Sequence, residues 1–114
     1  MQFIVTVTDA YNDKRIYGFD EKKAHDGIHI GRHRTSDIIL KSLMISNNHC
    51  TIKTEGSLSE LSKISVTDTS SNGTQYNNKD IGKGNTISIN INDNIRLDMS
   101  ISLFYSKEVY ELTM

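Results

Sequence analysis

Apolar and polar residues alternate with period two along most of this chain. The short runs Phe3 to Val7, Arg15 to Phe19, Ile28 to Ile30, Asp37 to Leu40, His49 to Lys53, Ile64 to Thr67, Ile87 to Ile91, Ile95 to Leu97 and Ile101 to Tyr105 are rich in Ile, Val, Thr and Tyr. That alternation predicts strands with one buried face. Helical spacing is scarce. Between the runs lie Asn12-Asp13, Asp26-Gly27, Glu55-Gly56, Asn72-Gly73, Asn77-Asn78, Lys83-Gly84-Asn85 and Asn92-Asp93-Asn94, all turn formers. The chain has no proline, so asparagine and glycine must make the turns. Many short strands joined by turns predict an all-β fold, a two-sheet antiparallel sandwich. Leu58 and Leu61 are three apart, which allows a helical turn within Ser57 to Ser62, but the flanking Ser and Gly predict an irregular loop. Ser106 to Met114 end in a strand-like tail.

Within each run the alternation assigns the faces. Cys50 and Ile52 share one side, opposite Thr51 and Lys53; Ile64 and Val66 lie opposite Ser65 and Thr67. Two such sheets must stack to hide their apolar sides. A length of 114 residues with 36% hydrophobic content supports one domain over 1–114, with neither a repeat nor a linker. The net charge of −1 argues against a nucleic-acid or membrane-surface binder, which must neutralise many phosphates at once. A single cysteine, Cys50, excludes an internal disulfide and suggests no zinc site. No metal or cofactor is expected. The N-terminus lacks the basic start and apolar stretch of a secretory signal, and no run has the length of a membrane span, so an intracellular protein, cytoplasmic or nuclear, is expected.

The candidate chemistry lies in three polar loops. Gly31 to Asp37, Ser46 to His49 and Asp68 to Thr74 each adjoin a strand-like run, and together they offer an arginine, several hydroxyls and two amides to one oxyanion. Each loop has a plainer explanation when taken alone. Arg32 would be a solvated surface arginine. Asn72-Gly73 would be a turn between strands. Asn72-Gly73-Thr74 is also a glycosylation acceptor sequence, a reading that lapses without a secretory signal. A catalytic His49–Cys50 pair is disfavoured, because adjacent strand residues point to opposite faces; His49 is expected as a hydrogen-bonded scaffold element and Cys50 as a small core residue.

The ordered blocks GRHRTSDIIL, ISNNHCTI, VTDTSSNGTQYNN and INDNIRLD resemble the forkhead-associated (FHA) domain over roughly residues 28 to 103. The family pattern is GR, a short gap, Asn or Asp before a strand, SxxH, then DxSxNGTxxNG and GDxIxxG. The resemblance implies a sandwich of about eleven strands that binds phosphothreonine peptides through loops at one end, without catalysis. It implies that Arg32, Ser46, Asn47, Ser71 and Asn72 contact the phosphopeptide, and that His49 supports them. Gly31 would let the backbone bend tightly, and Gly73 would permit a positive torsion. A phosphothreonine carries about −1.5 to −2 charges and three acceptor oxygens, so directed donors matter more than bulk positive charge. Its methyl group, in a pocket walled by Asn47 and neighbouring backbone, would set threonine apart from serine.

The chain departs from the pattern in several places. Asn78, Asn92 and Asp98 stand where glycine is usual; both residue types tolerate positive torsions. Met44 stands where many relatives carry a basic side chain, and Asn48 replaces another frequent basic or polar residue. This lowers the positive charge of the site unless Arg34 or Lys41 compensates. The alternative is a structural FHA-like interaction module without phosphate dependence. An enzyme is not expected, because the sequence has no metal-ligand spacing and no nucleophile elbow. The partner's sequence and the oligomeric state stay open.

Overall fold

Alternate burial of Ile, Val and Leu shapes the chain into two stacked sheets, described in a computed structural model over residues 2–9, 11–61, 63–77, 79–99 and 108–114. In chain order the strands are β1 (Phe3–Thr8), β2 (Lys14–Phe19), β3 (Ile28–Gly31), β4 (Ile38–Ile39), β5 (Cys50–Lys53), β6 (Lys63–Asp68), β7 (Gln75–Tyr76), β8 (Lys79–Asp80), β9 (Thr86–Asn90), β10 (Asn94–Met99) and β11 (Glu108–Thr113). One sheet has the order β2-β1-β11-β10-β7-β8 and the other β4-β3-β5-β6-β9. Phe3, Val5, Val7, Ile95, Leu97 and Leu112 from the first sheet face Ile28, Ile30, Ile52, Ile64, Val66 and Ile89 from the second, and all are buried. The all-β sandwich and its eleven strands match expectation. The strand expected at Ile101 to Tyr105 and the turn residue Asn78 lie outside the described residues.

The structure differs from the sequence reading in four respects. First, β3 and β4 pair in parallel, Ile30 with Ile38 and Gly31 with Ile39. The intervening loop folds back along β3, and Asp37 fastens it: its N–H donates to the His29 carbonyl at 2.8 Å, and its carboxylate accepts from the His29 N–H at 2.8 Å. Second, a short helix α1 spans Glu21–Asp26. The Asp20 side chain caps its first turn by accepting from the Lys23 N–H, and Gly27 ends it with φ 120°. Asp26-Gly27 is therefore a helix end, not a free turn. Third, Leu58–Glu60 form one 3₁₀ turn in the segment read as an irregular loop, capped by the Ser57 side chain, which accepts from the Ser59 N–H. Fourth, Asp98 pairs with Val109 inside β10, so its backbone is extended and makes no glycine-like turn. Asn92 does adopt a positive φ of 73°, and Asn77 one of 53°. Among the described residues no helix is long and apolar enough to cross a membrane.

The strand register brings the three polar loops together. Cys50, at the start of β5, pairs with Ile30 near the end of β3 and with Asp68 at the end of β6. The loops that follow β3, precede β5 and follow β6 therefore emerge at one end of the sandwich.

Candidate functional site

Those loops enclose an open groove of about 260 Å³. It is lined by Arg32, Leu43, Met44, Ile45, Ser46, Asn47, Ser71 and Asn72, so all five residues expected to contact a ligand face one space. The lining contains no carboxylate. The Arg32 N–H donates to the Ser46 carbonyl at 3.0 Å, and its Nε donates to the Ile45 carbonyl at 3.1 Å. Anchored at Nε, the guanidinium keeps its two terminal nitrogens free of hydrogen bonds among the described residues. The Ser46 hydroxyl oxygen accepts from the Ser71 N–H at 2.9 Å and retains its own hydrogen to donate. Asn72, an exposed residue, donates from Nδ2 to the Met44 carbonyl at 2.7 Å, which ties the β6–β7 loop to the β4–β5 loop. Asn47 is exposed, and its carbonyl accepts from the His33 N–H at 3.4 Å. Arg34 and Lys41 do not line the groove; Lys41 instead borders a separate cavity beside Asp9, Asp13 and Arg15.

Gly31 serves this site differently from the tight bend expected of it. It lies in β3 and is not among the glycines with positive φ. A β-carbon there would sit 2.0 Å from the Asn47 carbonyl oxygen and 3.0 Å from that of Ser46. Only a residue without a side chain lets the β4–β5 loop pass so close to β3. Gly73 does adopt the positive torsion expected of it, with φ 107°.

Beneath the loops, His49 is fully buried at 0% exposure. Its Nε2 lies 2.9 Å from the Gly73 carbonyl, and its Nδ1 accepts from the Ser46 N–H at 3.2 Å. A carbonyl only accepts, so Nε2 carries the hydrogen and the ring is neutral. Burial holds the His49 pKa below the usual imidazole value, against smaller opposing effects of the Gly73 carbonyl and Asp68. One ring thus braces both halves of the groove. Cys50 is also buried, and burial, followed by the Asp68 charge, pushes its thiol pKa up. His49 sits just before β5 with its ring among the loops, whereas Cys50 belongs to the core cluster.

The sequence reading assigned no role to Asp68. It is buried, and its Oδ1 accepts from the Ser70 N–H at 2.9 Å, the Ser70 hydroxyl at 2.6 Å and the Thr74 hydroxyl at 3.0 Å. The Ser70 oxygen in turn accepts from the Gly73 N–H at 2.9 Å. This network shapes the loop that presents Ser71 and Asn72. Its sequence signal was Asp68 ending an apolar strand just before a Ser/Thr-rich turn, the setting in which a carboxylate accepts from nearby backbone and hydroxyls.

Comparison with known proteins follows the same outline. The family model described as FHA domain matches residues 28–98. No curated protein matches the chain. Among solved structures, the N-terminal FHA domain of Rad53p from S. cerevisiae, in complex with a phosphothreonine peptide, is 18% identical with a TM-score of 0.68, over 98% of this chain and 94% of that one. The FHA domain of the CT664 protein from Chlamydia trachomatis is 17% identical with a TM-score of 0.69, over 100% of this chain and 98% of that one. Mycobacterium tuberculosis EmbR, in complex with a low-affinity phosphopeptide, is 24% identical with a TM-score of 0.61, over 95% of this chain and 24% of that one. At these identities the likeness speaks for the fold.

Proposed function

This chain belongs to the FHA domain family, and from that premise we propose that its loop groove binds phosphothreonine peptides and so mediates phosphorylation-dependent protein–protein interaction in signalling. One observation carries the reading: Arg32, Ser46, Asn47, Ser71 and Asn72, from three separate loops, line a single groove without a carboxylate. A doubly ionised phosphate needs several directed donors in a space free of competing negative charge, and this groove offers both. Two of the three solved neighbours described above hold phosphopeptides.

In this reading the terminal nitrogens of Arg32 take the phosphate as a planar fork, and the hydroxyls of Ser46 and Ser71 donate to its remaining oxygens. The exposed amides of Asn47 and Asn72 hold the peptide backbone beside it and set its direction. The threonine methyl rests against Asn47 and neighbouring backbone; one methyl in a pocket is worth about 1 to 3 kcal/mol. The groove works as a binding site and not as a catalyst. His49 has both ring nitrogens engaged inside the protein, and Cys50 has a buried thiol, so neither lines the groove.

The test is titration of a phosphothreonine peptide library, with phosphoserine and unmodified counterparts, into the wild type, Arg32→Ala and Arg32→Lys. Phosphothreonine peptides should bind best. Arg32→Ala should lose about 1.5 to 3 kcal/mol for each charge-assisted bond removed, and Arg32→Lys should recover only part of that, because an ammonium lacks the fork. Equal binding of the unmodified peptides would overturn the proposal.

A further inference from the structure

The groove occupies one end of the sandwich and leaves its longest free edge unexplained. Among the described residues β2 pairs with β1 alone and ends the six-stranded sheet. A free edge presents unpaired N–H and C=O groups, and proteins blunt such edges with short strands, proline, bulges or outward polar groups. β4 and β8 are blunted by length, with two residues each, and β9 by Thr86, Ser88 and Asn90, all exposed. Past Lys14 and Arg15 at its start, β2 has none of these devices. Its six residues pair with β1 without a bulge, from Phe3 with Phe19 to Thr8 with Lys14, and Ile16 is 72% exposed. Ile4, 42% exposed, lies opposite Gly18 on the same outward face.

This edge is complementary to itself. The Asp9 N–H donates to the Asp13 carbonyl at 3.0 Å, in step with the β1–β2 register. Bonded pairs recur at every second residue of an antiparallel ladder, so Arg15, Tyr17 and Phe19 bond to β1, while Lys14, Ile16 and Gly18 aim their N–H and C=O groups off the edge. When two copies of β2 lie antiparallel about a two-fold axis at Tyr17, Ile16 of each stands opposite Gly18 of the other, and Lys14 opposite Asp20. Only the tips of Gln2 and Ile4 lie over Gly18, so the incoming Ile16 packs on Ile4. Asp20 caps α1 through Oδ1 and keeps its other oxygen for the lysine. Apolar pairs and opposite charges set directly across a ladder both stabilise it.

We propose that this chain forms a two-fold dimer through β2, with one sheet running on across both copies. The pairing uses the β2 edge of each copy, so the assembly closes at two. β2, β11 and β7 run away from the groove end, and β1 and β10 run toward it. Antiparallel β2 strands therefore place the two grooves at opposite ends of the dimer. The consequence, which rests on the phosphopeptide reading, is an adaptor that bridges two phosphorylated chains.

Sedimentation equilibrium tests the dimer, followed up to about 0.5 mM because a single edge makes a small, transient interface. The mass should rise from one chain toward two. Ile16→Lys should weaken association about tenfold or more, the worth of burying one isoleucine, and Lys14→Glu, set against Asp20, should weaken it too. Ile16→Thr keeps a β-branched residue in the strand and should fall between the wild type and Ile16→Lys, with unchanged circular dichroism in all three. Leu43→Lys, at an exposed leucine on another element, should leave the mass as it is. A monomer at the highest concentration, or a dimer that Ile16→Lys does not weaken, overturns the proposal. Bridging is read separately. An immobilised phosphothreonine peptide loaded with the wild type should capture a second, dye-labelled copy of that peptide, while Ile16→Lys should bind the first without the second. A dimer that captures no second peptide overturns the opposed placement of the grooves. If no phosphorylated peptide binds better than its unmodified twin while the masses behave as stated, the dimer stands and the phosphopeptide reading fails.

Discussion

An alanine at position 31 would place its methyl carbon against the carbonyl of Asn47, a backbone atom that cannot turn aside as a side-chain tip could. Either β3 or the β4–β5 loop must then give way. Gly31→Ala should destabilise the protein by about 1 to 3 kcal/mol, as overpacking of tightly fitted sites does, and should weaken phosphopeptide binding even though residue 31 does not line the groove. Urea denaturation and peptide titration of the same variant check both effects; a variant with wild-type stability and affinity would show that the loop retreats freely. Position 31 also marks a limit of sequence reading. A glycine before an arginine signals that the backbone is special there, but a bend and a close approach of a distant loop look alike until the second segment is placed.

The longer strands were legible in the sequence, and of the two-residue strands only β4 was, within the run Asp37 to Leu40. β1, β5, β6 and β10 alternate because one side of each is buried over four or more residues, and that alternation was readable. β7 and β8 have two residues each, too few for a period to register. Helix α1 has one buried residue, Ala24, so no apolar stripe marks it; only its ends, Asp20 and Gly27, carried a signal. The β6–β7 loop depends on Asp68 in a way that can be tested at this scale. Asp68→Ala leaves two hydroxyls and one N–H inside the protein without their acceptor, so it should cost about 3 kcal/mol or more. Asp68→Asn keeps an oxygen at the same place and should lose less than half as much. Thermal melts of the two variants make the comparison, and equal losses would refute the acceptor role.

For the whole molecule, His49 links stability to pH. Its folded-state pKa is depressed, chiefly by burial, while in the unfolded chain it titrates near the ordinary value of about 6.5. Below that pH the unfolded chain takes up a proton that the folded ring resists, so stability is at its full value above about pH 6.5 and declines as pH falls from there toward the depressed folded value. Acid also removes the lone pair by which Nδ1 accepts from the Ser46 N–H, so the loops should loosen together. Urea midpoints measured across this range should fall for the wild type, while His49→Ala, less stable at neutral pH, should show a flatter dependence. The same part of the molecule holds a built-in reporter. The sole sulfhydryl, Cys50, sits in the strand directly below these loops, sealed between its neighbours on β3 and β6. A thiol-reactive dye can reach it only in molecules whose upper end has come apart, so the labelling rate counts those events. Any occupant of the cleft that prefers the closed form will slow that clock in proportion to its occupancy, with no residue engineered into the protein.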